Sequence, residues 1–459
     1  MDQKLFTYFQ NEEEYPDIDL DGALARLSSA IKCRSLSDCE DPAPFFEIHN
    51  IIKEGFPCIM KAGTFEAVDR SVLITVPGTD ASLKPALFMS HIDVVPVVEG
   101  TEKDWTHDAF SGDIADGWIW GRGTQDIKQQ VFGELEAMEY LLAHGNKNRR
   151  TVYFAFGQDE ETFNTGAQAI SDLLKSRGVE LEFLLDEGGG GIDPADDYGA
   201  PGKSMITIAL MEKGYADLTL SVESKGGHSS RPYGGTSLER LSRAITAVCD
   251  HPFPAKLSGT FKATLNAVKP YVTEEPLRTL LTDVDGNEEK IAEFCMNSKE
   301  FFPYVTTTIA PTMIKGSSGA PNVMPQNMSA VINFRLDAGN TPEKLMDHVR
   351  SVINDESVKL SFIQANAASS EARSDGYGYA ALTEALGHFF KDVILVPTIT
   401  VGGTDAHCYE QICDTCLRCG PFMEPDDEHG AHGTDEKLRV RSYAQGIRVL
   451  IRLMQKTCM

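Results

Sequence analysis

The sequence has few basic residues for its length and lacks any long apolar run. Its 459 residues include 42 Lys and Arg against 68 Asp and Glu, which gives a formal net charge of −26. Nucleic acids and anionic membranes are bound by clustered Lys and Arg, so we expect neither as a partner. No stretch approaches the ~20 apolar residues of a membrane span, and the N-terminus lacks the basic and apolar regions of a signal peptide. We therefore expect an acidic, soluble, cytoplasmic protein.

The ten cysteines lack the pattern of a disulfide framework or a complete metal cluster. Without a secretory signal, free thiols are expected. Cys413, Cys416 and Cys419 have the spacing of part of an iron–sulfur or zinc site, but no fourth ligand follows nearby. Because free cysteine usually behaves as a small buried side chain, we interpret this segment as a buried strand that leads into a turn.

Short apolar runs alternate with helical patterns in both the first half and the last part of the chain. Residues 72–77, 86–96 and 151–157 are apolar on both faces, which is typical of strands covered by helices on both sides. Helical patterns lie between such runs, as at 126–144. This alternation predicts an α/β domain with a parallel sheet and α/β/α layers.

The pattern changes between residues 212 and 365. Strands that alternate polar and apolar residues are arranged with two helical segments in the order β-α-β-β-α-β, which is the ferredoxin-like unit. Residues 251–303 form an insertion with mostly helical patterning, whose place in the structure stays open. The sequence therefore predicts an α/β domain, 1–211 and 366–459, interrupted by a smaller α+β domain, 212–365.

Histidines and carboxylates follow several of the predicted strands. The carboxyl ends of parallel strands meet at one edge of a sheet, so these side chains are expected to converge there. Any one of them alone is most often an ordinary loop residue, but together they form a mixed nitrogen and oxygen site of the kind that Zn²⁺ binds. The groups are His91 with Asp93, Asp126, the run 159–161, Asp186 with Glu187, and His429 with His432 and Glu436 near the C-terminus.

A hydrolytic site with two zinc ions has definite requirements. It needs a carboxylate that bridges ions ~3.5–4 Å apart, terminal ligands, and an unligated carboxylate that takes a proton from water. Asp93 is two residues after His91, on the same side of a strand, so it can orient that imidazole. Glu160 and Glu161 face opposite ways on an extended chain, so one can bind metal while the other acts as the base.

A series of motifs resembles the M20 family of dizinc metallopeptidases, from about residue 85 to the C-terminus. Within that family the chain is most similar to the branch of yeast carboxypeptidase S and N-acyl-amino-acid hydrolases, beside aminoacylase-1. The motifs occur in the order SHIDVVP, GRGTQDIK, GQDEETFNTGAQ, LLDEGG, GGHSS, NVMPQNMSAVINFRL, GGTD and AHGTDEKL.

The resemblance implies a zinc-peptidase α/β/α catalytic domain with two zinc ions per subunit, for which Co²⁺ or Mn²⁺ can substitute. Aminoacylase-like members use the Glu of the DEG motif, here Glu187, where carboxypeptidase S-like members use the Asp, here Asp186. We take Asp186. The implied ligands are then Asp126 as the bridge, Glu161 and His432 on one ion, and His91 and Asp186 on the other.

The resemblance also implies the remaining roles. Asp93 would orient His91, Glu160 would be the general base, and a cis peptide would follow Asp126. The smaller domain would be a lid and the surface of a homodimer, with His228 reaching into the partner's site to stabilise the oxyanion. The implied carboxylate-binding residues of the substrate site are Asn322, Arg335, Gly402, Gly403 and Thr404.

The expected function is zinc-dependent hydrolysis of an amide bond in a small peptide or N-acyl amino acid with a free carboxylate, as in a carboxypeptidase or aminoacylase. A dipeptidase and an acetylornithine or succinyl-diaminopimelate deacylase are the alternatives, and a non-catalytic binding protein is a remote one. The family pattern is broken at His407, where relatives often have Arg. The charge and size of the substrate's anionic end therefore stay open.

Overall fold

The computed structural model describes residues 2–232, 234–424 and 430–459. Their strands are β1 Thr64–Val68, β2 Ser71–Val76, β3 Ala86–His91, β4 Ile114–Ala115, β5 Trp118–Trp120, β6 Val152–Gly157, β7 Phe183–Pro194, β8 Ser204–Glu212, β9 Gly214–Glu223, β10 Gly227–His228, β11 Thr308–Lys315, β12 Val323–Met324, β13 Asn327–Leu336, β14 Val358–Asn366, β15 Val393–Thr400, β16 Cys416–Gly420 and β17 Lys437–Arg439.

Helices cover the strands. They are α1 Asp2–Leu5, α2 Leu20–Lys32, α3 Ala43–Gly55, α4 Pro57–Ala62, α5 Lys128–Ala143, α6 Thr165–Ser176, α7 Ser237–Asp250, α8 Gly259–Val268, α9 Leu277–Leu280, α10 Glu288–Met296, α11 Phe302–Val305, α12 Pro342–Ile353, α13 Tyr377–Phe389 and α14 Val440–Cys458. Within the described ranges, no helix is long and apolar enough to cross a membrane.

A sheet of eight strands in the order β1-β2-β6-β3-β7-β16-β8-β15 forms the centre of the larger part. Its middle strands β6, β3, β7 and β16 are parallel, whereas β1 and β2 are antiparallel additions at one edge. Successive side chains of β3 point to opposite faces, so Phe88 packs in one core and Leu87 and Met89 pack in another. The sheet is therefore buried on both sides, as its unbroken apolar runs predict.

The smaller sheet is antiparallel, in the order β11-β13-β9-β14. Helices α7 and α12 pack on one face and bury alternate strand residues, for example Leu218, Leu220 and Ile332. This is the predicted β-α-β-β-α-β order. The two connections to the larger sheet run side by side, because a Cβ at Gly214 would lie 2.5 Å from backbone atoms of Ala367 and Ala368.

The insertion packs on the larger sheet rather than within the smaller one. Its helices α8 to α11 share a core with β8 and β15, in which Phe261 and Phe301 lie against Met205 and Val396. Thr264 of α8 also donates a hydrogen bond to the Pro397 carbonyl of β15. The sequence left this segment unplaced because its short helices carry no signal for the partner that buries them.

The predicted strands 72–77 and 151–157 and the predicted helix 126–144 are confirmed within two residues at each end, as β2, β6 and α5. The predicted run 86–96 is longer than its strand, since β3 ends at His91. The sequence analysis missed β1, β8, the helices before residue 63, and a small sheet of β17, β5 and β4. The cysteine segment is β16, and Cys413, Cys416 and Cys419 are buried free thiols.

Candidate metal centre

Asp126 joins two histidines from opposite ends of the chain. Its Oδ1 lies 3.1 Å from Nε2 of His91, and its Oδ2 lies 2.9 Å from Nε2 of His432. His432 Nε2 also lies 3.1 Å from Oε1 of Glu161. Each oxygen of one carboxylate thus faces a different imidazole, which is the arrangement that a carboxylate bridging two cations requires.

Asp93 positions both His91 and the loop that carries Glu160 and Glu161. Its carboxylate is fully buried, lies 3.2 Å from Nδ1 of His91, and accepts a hydrogen bond from Ser37. The same carboxylate accepts the backbone N–H groups of Glu160 and Glu161, each at 3.2 Å. Asp93 therefore orients the imidazole of His91 and fixes the loop that carries both glutamates.

Glu160 and Glu161 point toward different partners. Oε2 of Glu160 lies 3.9 Å from Nε2 of His91, beyond hydrogen-bonding distance, whereas Glu161 contacts His432 directly. Burial raises the pKa of Glu160 well above its ordinary value. Glu160 is thus the carboxylate of the pair that is free of a direct contact with either histidine.

Glu187, rather than Asp186, is the carboxylate of the DEG motif beside His91. Oε1 of Glu187 lies 3.2 Å from Nε2 of His91. Oδ1 of Asp186 instead accepts the backbone N–H of Glu187, and Asp186 is outside the described groups of potential ligands whose atoms lie within 4.8 Å of one another. Adjacent residues of a strand point to opposite faces, so only one of the two can face the site.

Burial and close packing shift the pKa values of the acidic groups and histidines of this centre. Burial raises the pKa of Glu187 to about 8, and hydrogen bonds to Asp126 and Glu161 raise the pKa of His432 to about 10. Burial lowers the pKa of His91, but the nearby carboxylates of Glu187 and Asp93 outweigh it, so the pKa is well above its ordinary value. Divalent cations would take over the role of these protons, since they neutralise clustered carboxylates directly.

The loop before Asp126 is fixed by Glu436, which the sequence analysis grouped with His432 without assigning it a role. The buried carboxylate of Glu436 accepts hydrogen bonds from the backbone N–H groups of Gly123 and Gln125 and pairs with Arg122 at 2.6 Å. The peptide bond Asp126–Ile127 is cis, as the resemblance implied. Glu436 belongs to the same C-terminal motif as His432, and that shared motif was the signal available. His429 lies outside the described residues.

A cavity of about 380 Å³ opens beside Glu160 and Glu161. Arg335 at the end of β13 lines it, together with Gly403 and Thr404 from the loop after β15. The guanidinium of Arg335 lies 4.7 Å from the ring centroid of Tyr215. The structure thus brings three of the five predicted substrate-binding residues next to the two glutamates. Gly402 lies on the far side of the same loop, against a different cavity.

A buried ion pair supports the Gly403–Thr404 loop. The guanidinium of Arg418 lies 2.8 Å from the carboxylate of Glu212, and that carboxylate accepts the hydroxyl of Thr404 at 2.7 Å. Nδ1 of His407 donates to the carbonyl of Thr404 at 2.6 Å and lies 3.3 Å from Glu212. Sequence reasoning missed Glu212 and Arg418, because Arg418 is a single charged residue inside an apolar strand and Glu212 is the last residue of another, next to Lys213.

Neither His228 nor Asn322 makes a described contact with the histidines and carboxylates of this centre. They lie in and beside the two-stranded pair β10–β12, where His228 is exposed and its Nδ1 hydrogen-bonds only Ser230 among described residues. The carbonyl of Asn322 accepts the backbone N–H of Ser229. Neither residue lines the cavity beside Glu160.

The described donor set fits hard or borderline divalent cations. Three groups have their ligand atoms within 4.8 Å of one another: His91 with Asp126 and Glu187, His91 with Glu160 and Glu161, and Asp126 with Glu161 and His432. Imidazole nitrogen with carboxylate oxygen is the donor set of catalytic zinc sites. Asp126 belongs both to the group with His91 and to the group with His432, so two ions would share its carboxylate.

Comparison with known proteins decides the family. The sequence model of the family described as "Peptidase family M20/M25/M40" matches residues 87–456. The chain belongs to the M20 peptidase family. It is an enzyme of the M20 hydrolase type.

Two relatives at similar identity have different names. The chain is 33% identical over 457 residues to a probable carboxypeptidase S-like 2 of Dictyostelium discoideum, with 96% of this chain and 85% of that protein covered. It is also 33% identical over 420 residues to an N-fatty-acyl-amino acid synthase/hydrolase of Homo sapiens, with 89% and 82% covered.

Solved M20 structures share the fold. A metallo-carboxypeptidase of Sulfolobus solfataricus superposes with a TM-score of 0.66 at 18% identity, covering 94% of this chain and 98% of that one. Human carnosine dipeptidase 1 gives a TM-score of 0.61 at 16% identity, with 99% and 98% covered. The predicted α/β/α catalytic fold is thereby confirmed.

Proposed function

We propose that the protein hydrolyses an amide bond in a small peptide or N-acyl amino acid that has a free carboxylate, with two bound divalent cations. The observation that carries this proposal is the convergence of His91, Asp126, Glu161 and His432, which come from four distant segments. The names of two relatives, a probable carboxypeptidase S-like protein and an N-fatty-acyl-amino acid synthase/hydrolase, support a substrate of this kind.

In this proposal the cations are zinc, with Co²⁺ or Mn²⁺ as possible substitutes. Asp126 bridges them, Glu161 and His432 hold one, and His91 and one residue of the DEG motif hold the other. The contact of Glu187 with His91 supports Glu187 in place of the Asp186 expected from the sequence. Bound here, the cations would polarise the scissile carbonyl and lower the pKa of water from ~16 toward ~7.

Glu160 is the proposed general base. It takes a proton from the attacking water as the water oxygen bonds to the carbonyl carbon. As the C–N bond breaks, it returns that proton to the leaving nitrogen. Its position in the cavity wall, beside the histidine–carboxylate cluster but without a direct contact to either histidine, supports this role.

Arg335 and the Gly403–Thr404 backbone are the proposed anchor for the free carboxylate of the substrate. A guanidinium pairs a carboxylate through two parallel hydrogen bonds, and Arg335 lines the same cavity as Glu160. Gly402 and Asn322 are kept as predicted anchors, with weaker support, because they do not line this cavity. The scissile bond would then lie between Arg335 and the cations.

We further propose that residues 212–365 act as a lid and as the surface of a homodimer. The exposed apolar side chains Met313, Ile314 and Ile363 on the smaller sheet support a covered surface. In a dimer, His228 would reach the site of the partner and stabilise the oxyanion. The cytoplasmic location expected from the sequence stays a prediction.

A dipeptidase is the second candidate function, because the 380 Å³ cavity is small and polar. The test is a hydrolysis screen of the zinc-loaded enzyme against dipeptides and N-acyl amino acids that release the same amino acid. Release from both classes, abolished by chelation and by Glu160→Gln, is expected. Release from dipeptides alone would favour the second candidate. No release from either class would contradict an amide hydrolase.

A further inference from the structure

Asn164 links the loop of the proposed base to the segment that follows the Gly403–Thr404 loop. Its side-chain Nδ2 donates to the backbone carbonyl of Glu160 at 3.3 Å and to Oδ1 of Asp405 at 2.9 Å. A primary amide has two N–H groups, so one side chain can make both hydrogen bonds together. Asp405 directly follows Thr404 in the sequence. A single amide therefore connects the proposed base with the proposed anchor of the substrate carboxylate.

Asp405 is fixed on the other side of this link. It is 1% exposed and begins a short 3₁₀ helix, Asp405–Tyr409. A Cβ at Gly157, the last residue of β6, would lie 2.2 Å from Oδ2 of Asp405. The carboxylate thus packs against the end of the strand from which the base loop, residues 158–164, begins.

The backbone of Asn164 does not by itself require an amide side chain. Asn164 has a left-handed conformation with φ of +56°, and its N–H donates to the carbonyl of Asp159 at 2.9 Å. Glycine adopts this conformation at no steric cost, and asparagine adopts it more readily than most other residues. Either residue would therefore make the turn into α6, but only asparagine supplies the two side-chain hydrogen bonds.

The position of the base affects the rate of the chemical step. A base must lie within hydrogen-bonding reach of the water whose proton it takes, and a misplacement of ~1 Å can cost about 10²-fold in rate. The carbonyl of Glu160 is held by Asn164, and Asn164 is held by Asp405. A substrate carboxylate bound to the Gly403–Thr404 backbone would hold the adjoining Asp405 in one position, and through it the base loop.

We propose that Asn164 and Asp405 are positioning residues that couple binding of the substrate carboxylate to the placement of the general base. A free carboxylate then raises kcat in addition to its contribution to affinity. This inference rests on the proposed amide hydrolysis with Glu160 as the base. It assigns part of the selection for substrates with a free carboxylate to the chemical step.

The test compares substrates that differ only in the terminal carboxylate, on the zinc-loaded full-length enzyme. The pairs are N-acetyl-Leu-Leu with its C-terminal amide and N-octanoyl-leucine with its C-terminal amide. Release of leucine or leucinamide gives kcat and KM for each substrate. For the wild type, we expect the amide of the better-cleaved pair to have a kcat lower by about tenfold or more, because it cannot occupy the anchor.

The deciding variant is Asn164→Gly, which keeps the left-handed turn and removes both side-chain hydrogen bonds. Its kcat for the carboxylate substrate should fall about tenfold with KM changed less than about twofold, while kcat for the amide substrate stays the same. Asp405→Ala breaks the same contact from the other side and should give the same result. The double variant should be no worse than either single variant, since both act through one contact.

The matched control is Ser171→Ala. The hydroxyl of Ser171 is buried and donates to the carbonyl of Cys408 at 2.8 Å, so it joins α6 to the same 3₁₀ helix without contacting Glu160. Ser171→Ala should keep the dependence of kcat on the substrate carboxylate. Bound metal, measured by elemental analysis, should be equal in the wild type and all of these variants.

The outcomes separate the two proposals. Equal kcat of the wild type for both members of a pair, an equal loss for both in Asn164→Gly, or a change in KM alone would overturn the inference while amide hydrolysis stands. Unchanged kinetics of Asn164→Gly and Asp405→Ala, or the same loss in Ser171→Ala, would overturn it as well. No cleavage of either carboxylate substrate by the wild type would overturn the proposed function itself.

Discussion

The candidate metal centre and the β10–β12 pair differ in how completely one chain builds them. In the metal centre, Asp126 contacts both His91 and His432, and Asp93 holds two neighbouring backbone N–H groups. In the β10–β12 pair, His228 is exposed and its imidazole hydrogen-bonds only Ser230 among described residues. The side chains of the first site hold one another in place within a single chain, whereas in the second only Ser230 contacts the imidazole among the described residues.

The difference shows which roles a single chain can support. The side chains proposed to hold cations are orientated by buried hydrogen bonds, so their geometry is set by folding alone. His228, on a two-residue strand, has no such support, and in the proposed dimer a partner surface would fix its position. The four predictions below test this division.

The largest expected effect is at Glu160. Glu160→Gln removes the base but none of the contacts among His91, Asp126 and His432, so turnover should fall by about 10⁴-fold while bound metal is retained. Hydrolysis rates and metal content by elemental analysis measure the two quantities. Glu161→Gln is the matched control and should lose metal as well. Near-normal turnover of Glu160→Gln would remove the assigned base.

His228 should show the next largest effect, and the comparison depends on it. His228→Ala should lower kcat by about 10²–10³-fold without changing metal content, as loss of an oxyanion donor does. If the histidine acts on the partner's site, mixing and refolding His228→Ala with Glu160→Gln in equal amounts should restore about a quarter of the wild-type rate, since half of the dimers then contain one intact site. No recovery would place His228 outside the partner's site.

The two acids of the DEG motif should separate in metal binding. Glu187→Gln is expected to weaken cation binding by about 10–100-fold or more, and Asp186→Asn to change it less. Competition with a coloured chelator measures the affinity of each variant. A larger loss in Asp186→Asn would restore the ligand first expected from the sequence.

The smallest expected effect is on stability at His407. Burial lowers the pKa of His407, but hydrogen bonds to Cys408 and Glu212 outweigh it and raise the pKa to about 11 from 6.5. A pKa raised on folding stabilises the protein fully below about pH 6.5, and this contribution is lost as the pH rises through about 11.

The variant His407→Gln should therefore melt below the wild type by roughly 2–4 °C at pH 6. The difference should narrow as the pH is raised toward 10. Thermal melts of both proteins across that range provide the measurement. A difference that widens with pH would mean that His407 is not held as a cation by Glu212.

The sequence predicted which side chains converge at the candidate metal centre, because these residues occur in short motifs at strand ends, and their role as metal ligands stays a prediction. His91, Asp126, Glu161 and His432 were each chosen before their contacts were known, and the structure brings all four together. Periodicity similarly predicted the smaller sheet, because alternating strands such as β13 bury every second residue.

The rest was not predictable for physical reasons. Choosing between Asp186 and Glu187 requires knowing which face of β7 turns to the site, and the glycines that follow break the strand's alternation. Glu212 of β8 pairs with Arg418 of β16, 206 residues away in the sequence. No local sequence pattern predicts a pair at that separation. The short helices of the insertion gain their stability by packing on the larger sheet, so their own sequence does not indicate which part of the protein they cover.

Asp93 alone positions several side chains of the centre. One buried carboxylate sets the tilt of an imidazole at the end of β3 and fixes the backbone of two acids in the loop after β6. Any shift of that carboxylate would displace a ligand, a base and a second ligand together, so losses from changes at these four positions should overlap instead of multiplying. Damage at this point would therefore look, in kinetics, like damage at all of them.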